Sequence, residues 1–174
     1  LSENKEEMPM SFGPVSRRML VVGAAIITPL LATISLASAQ SANRSDSKVH
    51  RLAIHVDDNN PGTMNLALNN AQNVTQYYTG KGEEIEIEVV AYGPGLHMLR
   101  ADTSPKQVQG RLKSFSESMP NIKFMACEVT RGKMAKAEGK KPADIPLVKF
   151  AKSVPSGVVH LIGLQEKGWS YIKP

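Results

Sequence analysis

From residue 50 onward, short apolar runs alternate with longer stretches whose apolar residues recur at helical spacing. Leu52-Ala53-Ile54-His55-Val56 is an apolar run of strand length. Asp57 to Gly62 reads as a turn, with Thr63 as the expected N-cap of a helix. Met64, Leu68, Ala71, Val74 and Tyr78 then share one helical face, while Asn65, Asn69, Asn70 and Asn73 populate others. Gly80 and Gly82 close that helix region.

The next segment, Glu84 to Ala91, alternates strictly at first, with Ile85, Ile87 and Val89 on one face and three glutamates on the other. Central parallel strands are usually apolar on both faces. This strand is therefore expected near an edge, or with a glutamate face that later structure covers. Tyr92-Gly93-Pro94-Gly95 breaks it. Ser104-Pro105 predicts a helix start, with a capping serine before proline at the first helical position. Val108, Leu112, Phe115 and Met119 form the buried stripe of that helix, which Pro120-Asn121 ends.

The third strand spans Ile122 to Cys127, and Thr130 to Glu138 reads as a short helix closed by Gly139. A weaker strand runs from Val148 to Val154. Ser156 is the expected cap of a last helix, Gly157 to Lys167, and Ser170 to Lys173 closes the sheet. The predicted class is α/β, a mainly parallel five-stranded sheet with helices on both faces and right-handed crossovers. Ligands of such sheets sit beyond the C-terminal ends of the strands. Three loops leave those ends, namely Asp57 to Gly62, Gly93 to Leu99 and Cys127 to Arg131. Adjacent strands would bring all three to one rim.

The N-terminal part reads as an address. Ser16-Arg17-Arg18 precedes an apolar stretch from Met19 to Leu36, and Ala37-Ser38-Ala39 fits a signal-peptidase site before Gln40. The arginine pair resembles a twin-arginine signal, with an ordinary Sec signal as the competitor. This predicts an exported, periplasmic protein. The alternative is a membrane anchor formed by residues 19–36, the only route by which membrane would enter. The expected organisation is an extension and export signal over 1–39, a flexible leader over 40–49, and one domain over 50–174.

Across all 174 residues the formal net charge is +5. Residues 1–39 hold three Lys/Arg and three Asp/Glu, so the excess belongs to the remainder. That balance suits small anions or an acidic partner face. No interleaving of basic and aromatic residues supports nucleic-acid binding. No Cys-x-x-Cys or His-x-x-x-His spacing supports a metal, and no cofactor is implied. Gly-x-Ser-x-Gly is absent, as is the Gly-Lys-Ser/Thr of a P-loop.

Cys127 is the one cysteine. In an exported chain it is buried and inert, paired with another chain, or kept for its reactivity. Its position at a strand end before a helix favours a thiolate, and Arg131, Lys133 and Lys136 add positive charge. The opposing reading is a small buried hydrophobe. Gly93-Pro94-Gly95 is either a strand-ending turn or a place for close approach of a ligand. His97, just after it, is a candidate proton donor or thiolate partner. His55 reads as a hydrogen-bonded structural histidine, His160 as a helix residue without catalytic weight, and His50 as surface.

Several stretches together resemble the DsrE/DsrF-like family of small α/β proteins linked to sulfur metabolism. They are Met64 to Asn70, Val90 to Leu96, Cys127-Glu128-Val129-Thr130, and Val154 to Gly157 continuing through Leu164 to Pro174. The resemblance implies a three-layer α/β/α fold with flavodoxin-like layering and frequent homo-oligomers. In some members a cysteine carries persulfide sulfur between donor and acceptor proteins. Cys127 matches the cysteine of the family's Cys-x-x-Thr segment, and the sulfur-carrying role passes to Cys127 alone, with Gly93, Pro94, Gly95, Thr130 and Arg131 as candidate binding residues. The export signal departs from the cytoplasmic setting of the best-understood members. Two functions follow as expectations. One is a thiol-based sulfur carrier using Cys127. The other is a non-catalytic oligomeric module that binds a small anion or partner, with Cys127 structural.

Overall fold

Each apolar run pairs with its neighbours in a five-stranded, all-parallel sheet of order β4-β3-β2-β1-β5. A computed structural model describes residues 48–174. Its strands are β1 (His50–Val56), β2 (Ile85–Ala91), β3 (Ile122–Cys127), β4 (Ala151–Val154) and β5 (Ser170–Ile172). Its α-helices are α1 (Pro61–Gly80), α2 (Lys106–Ser118), α3 (Glu128–Ala137) and α4 (Gly157–Glu166). Short 3-10 helices occupy Gly93–Leu99 and Pro142–Asp144. The described residues belong to one compact unit. The expected export signal, and all but the last two residues of the expected leader, lie outside them.

The sheet's two faces bury very different amounts of side chain. On one, Ile54, Val56, Ile87, Val89 and Phe124 pack with Met64 and Leu68 of α1 and Val108 and Leu112 of α2. On the other, Ala53, Val90, Met125 and Val154 meet Leu161 and Leu164 of α4. Helices on opposite faces give the three-layer α/β/α architecture that the alternation predicts. Each large aliphatic side chain sealed this way contributes about 1.5–3 kcal/mol.

The glutamate strand is not at an edge. β2 is the middle strand of the five. The alternative expectation holds, because Glu88 is buried under α4, where His160 Nε2 lies 2.6 Å from its carboxylate. Glu86 stays half-exposed and pairs with Arg51 of β1 at 3.3 Å. The helix starts also shift from expectation. Asn60, not Thr63, caps α1, its side chain accepting from the Gly62 N–H at 2.7 Å. Pro105 takes the cap position of α2 in extended conformation, and the buried Ser104 hydroxyl caps nothing. His50 is half-buried, stacked 3.8 Å from Tyr78 and 2.8 Å from Glu83. Most consequential for function, α3 begins at Glu128, which makes Cys127 its N-cap.

The Gly93–Leu99 segment folds back over the end of β1. A Cβ on Gly95 would lie 2.2 Å from the Val56 carbonyl oxygen, a backbone atom that cannot turn aside. Gly95→Ala is therefore expected to lose about 2 kcal/mol or more of folding stability. Urea unfolding should show a lower midpoint at unchanged slope, and an unchanged midpoint would contradict this close packing.

Candidate functional site

Cys127 ends β3 in extended conformation, with φ −76° and ψ 115°, and its sulfur turns back onto the first turn of α3. The Thr130 N–H donates to Sγ at 3.5 Å. β4 lies beside β3 with Val154 opposite Cys127, so the chain leaving β4 must start α4 next to the thiol. Gly157, the first residue of α4, stands close enough for its N–H to favour the thiolate. Glycine is required there, since a Cβ would sit 2.8 Å from the Tyr92 ring. From the other side, the Gly93 N–H donates to the Thr130 hydroxyl oxygen at 2.9 Å. That hydroxyl in turn lowers the pKa of the nearby Cys127 thiol.

Electrostatics follow from this geometry. Burial pushes the Cys127 thiol up, because a thiolate loses water there. The nearby Thr130 hydroxyl and the N–H groups of Gly157, Thr130 and Val129 outweigh burial. The thiol therefore titrates below its ordinary value. The first turns of two helices face one sulfur, and both dipoles favour negative charge.

A cleft of about 450 Å³ opens over the sulfur. Its walls are largely apolar, with Val129, Met134 and Ala137 from α3, Val158 from α4, and Tyr92. Lys133 is the one charged side chain among its lining residues. Cys127 itself is 4% exposed, so a reagent must enter the cleft to reach it.

The structure brings together Cys127, Thr130 and Gly93, and separates the other sequence candidates from them. Gly95 packs on β1, and neither it nor Pro94 lines the cleft. His97 turns to Thr103, with Nδ1 and Oγ1 2.7 Å apart. Arg131 donates to the Ile145 carbonyl at 2.8 Å and to Glu128 at 3.2 Å, which holds the segment after α3 rather than the thiol. Tyr92, Gly157, Met134 and Val158 are site residues that the sequence reading did not single out. The strand order carries the missing information, because only β4 beside β3 delivers Gly157 to Cys127. Among the described residues no cluster of three metal-ligating side chains occurs.

Tyr92 also joins the cleft to a second group of side chains. It stacks on His55 at 4.5 Å, and His55 Nδ1 shares a 2.7 Å hydrogen bond with the Tyr171 hydroxyl. Lys173 holds Asp57 at 2.6 Å. His55 is thus a buried, hydrogen-bonded histidine, although its Nε2 has no hydrogen-bond partner. Burial lowers its pKa, nearby Asp57 opposes that, and Lys173 adds to it.

No protein-family model matches the chain. No curated protein matches it either. A solved structure does, that of MTH1491, a protein of unknown function from Methanobacterium thermoautotrophicum. The two are 30% identical, the match covers 72% of this chain and 99% of that one, and the TM-score is 0.58. The chain belongs to one family with that archaeal protein. The relationship supports the three-layer fold and brings no activity with it.

Two measurements check the electrostatics. Alkylation rate against pH should place the Cys127 thiol of wild type below the ordinary thiol range of about 8.5. Thr130→Val should move it upward by removing the hydroxyl donor. Separately, His55 binds protons less readily folded than unfolded, so stability should fall as pH drops below the ordinary imidazole value of 6.5. Asp57, whose hydrogen bond with Lys173 lowers its pKa, adds acid sensitivity only below the ordinary carboxylate value of 3.8. His55→Gln should flatten the stability profile between roughly pH 7 and 5, as measured by denaturant unfolding.

Proposed function

We propose that the protein is a DsrE-like, thiol-based sulfur carrier in which Cys127 is the sulfur-bearing group. The observation that carries this reading is the placement of Sγ between the first turns of α3 and α4, at the floor of a cleft. In this reaction the Cys127 thiolate attacks the outer sulfur of a sulfane donor, R–S–S⁻. An Sγ–S bond forms, the donor's S–S bond breaks, and R–S⁻ leaves with the electron pair. The product is a Cys127 persulfide anion, Cys–S–S⁻. An acceptor thiolate then attacks its outer sulfur, and Cys127 leaves as the thiolate. Sulfur passes with no net oxidation or reduction, so no cofactor is needed.

Thr130 and Gly157 have two roles in this scheme. They stabilise the attacking thiolate, and they stabilise the same sulfur when it becomes the leaving group. The reading extends to an exported protein, on the pattern of residues 16–39, with sulfur donor and acceptor partners outside. No helix among the described residues is long and apolar enough to cross a membrane.

A second reading has its own observation. Val158, Val159 and Ile162 leave α4 with an exposed apolar surface, which suits a homo-oligomer in which Cys127 is only core. In that case alkylation of the native thiol would be slow, and Cys127→Ser would cost stability alone.

Incubation with a sulfane donor followed by intact-mass measurement separates the two. The carrier reading expects a one-sulfur adduct on wild type that thiols remove, and none on Cys127→Ser. Absence of the adduct on wild type, or its persistence on the variant, would refute the carrier reading.

A further inference from the structure

We propose that the cleft over Cys127 selects a monoanionic organic sulfane donor, an apolar body with its charge beside the reacting sulfur, as in an organic thiosulfonate. This rests on the reading of Cys127 as a sulfur-accepting thiolate and names the donor class for that site. Three observations carry it.

The first is shape and lining. About 450 Å³ is space for a small organic molecule, well beyond what an inorganic sulfur anion fills. Val129, Met134, Ala137 and Val158 offer apolar walls on both sides. Val129 and Val158 are about half exposed, so an apolar body lodged between them removes further surface from water.

The second is charge. In the transfer reaction the attacking thiolate puts one negative charge on the cleft floor, and Lys133 is the one charged side chain lining the cleft. A monoanionic donor meets that single cation. A dianion such as thiosulfate would bring a further uncompensated charge into a largely apolar space, where repulsion is poorly screened. The amides of the first turn of α3 do not help, because the Thr130 N–H donates to Sγ and the Val129 N–H to the Pro155 carbonyl.

The third is a spare polar group. Ser156 occupies the N-cap position of α4 and lines the cleft, yet its side chain makes no capping hydrogen bond. Ser156 and Lys133 both line the cleft, and in the proposed transfer they take the sulfonyl oxygens. The transfer then balances as Cys–S⁻ plus R–SO₂–S⁻ giving Cys–S–S⁻ plus R–SO₂⁻. The Sγ–S bond forms, the S–S bond of the donor breaks, and the sulfinate leaves with the electron pair.

The test compares full-length protein loaded with benzenethiosulfonate, methanethiosulfonate anion or inorganic thiosulfate. Rates of one-sulfur adduct formation are read by intact mass and divided by the rate of each donor with free cysteine. Benzenethiosulfonate should lead thiosulfate by roughly ten-fold or more after that correction, with the methyl donor between them. Lys133→Gln should slow loading by the organic donors about three-fold or more, and slow alkylation by uncharged iodoacetamide by much less. Val158→Ser should reduce the preference for the phenyl donor over the methyl one. Adducts from every donor at equal corrected rates, or a lead for thiosulfate, would overturn the selectivity and leave the carrier function standing. No adduct from any donor would overturn both.

Discussion

A thiol buried at the end of a parallel strand meets the chain that follows its own strand and the chains that follow its neighbours, and this constraint organises the molecule around Cys127. β3 lies between β2 and β4, so the chain leaving each neighbour passes the sulfur. After β2, Gly93 anchors the Thr130 hydroxyl. After β4, Gly157 brings the first N–H of α4 to the thiol, and α3 begins at Cys127 itself. Each approach needs room. Gly157 meets the Tyr92 ring, and Gly93 adopts a left-handed φ of +52° that L side chains rarely take. Burial alone would raise the pKa of the thiol. The donors around it more than offset that.

The unequal layers contribute to the same result. α1 and α2 seal one face with a large apolar core, which gives the sheet its rigidity. The other face carries only α4 over a small cluster, and it is there that Cys127, Tyr92 and His55 point. A thin layer leaves space for a cleft where a thick one would fill it. It also leaves polar groups to be satisfied singly, as Glu88 is by His160 and His55 is by Tyr171. The last strand thereby ties to the C-terminal end of β1 through Tyr171 and Lys173.

Much of this architecture is legible from periodicity. Met64, Leu68 and Ala71, and Val108, Leu112 and Phe115, are buried as their spacing predicts. Short connections between strand and helix imply the parallel sheet, and that places Cys127 on the rim. Strand order is not legible, because alternation is a local property. Glu84-Ile85-Glu86-Ile87-Glu88 looks like an edge strand until His160, 72 residues from Glu88, is seen to cover it. Gly157 escapes notice for the same reason, since its value comes from standing beside Tyr92 and Cys127. His97 and Arg131 mislead in the opposite way. Their chemistry suits a thiolate site, but nearer partners, Thr103 and the Ile145 carbonyl, claim their polar atoms.

The groups around Cys127 favour its thiolate and lower the pKa of the thiol. Because it is the chain's one cysteine, ultraviolet thiolate absorbance during a pH titration, with Cys127→Ser subtracted, reports it without ambiguity. The account predicts that absorbance persists below the ordinary thiol range of about 8.5. A midpoint at or above that range would contradict it, and would make Cys127 a packed core residue.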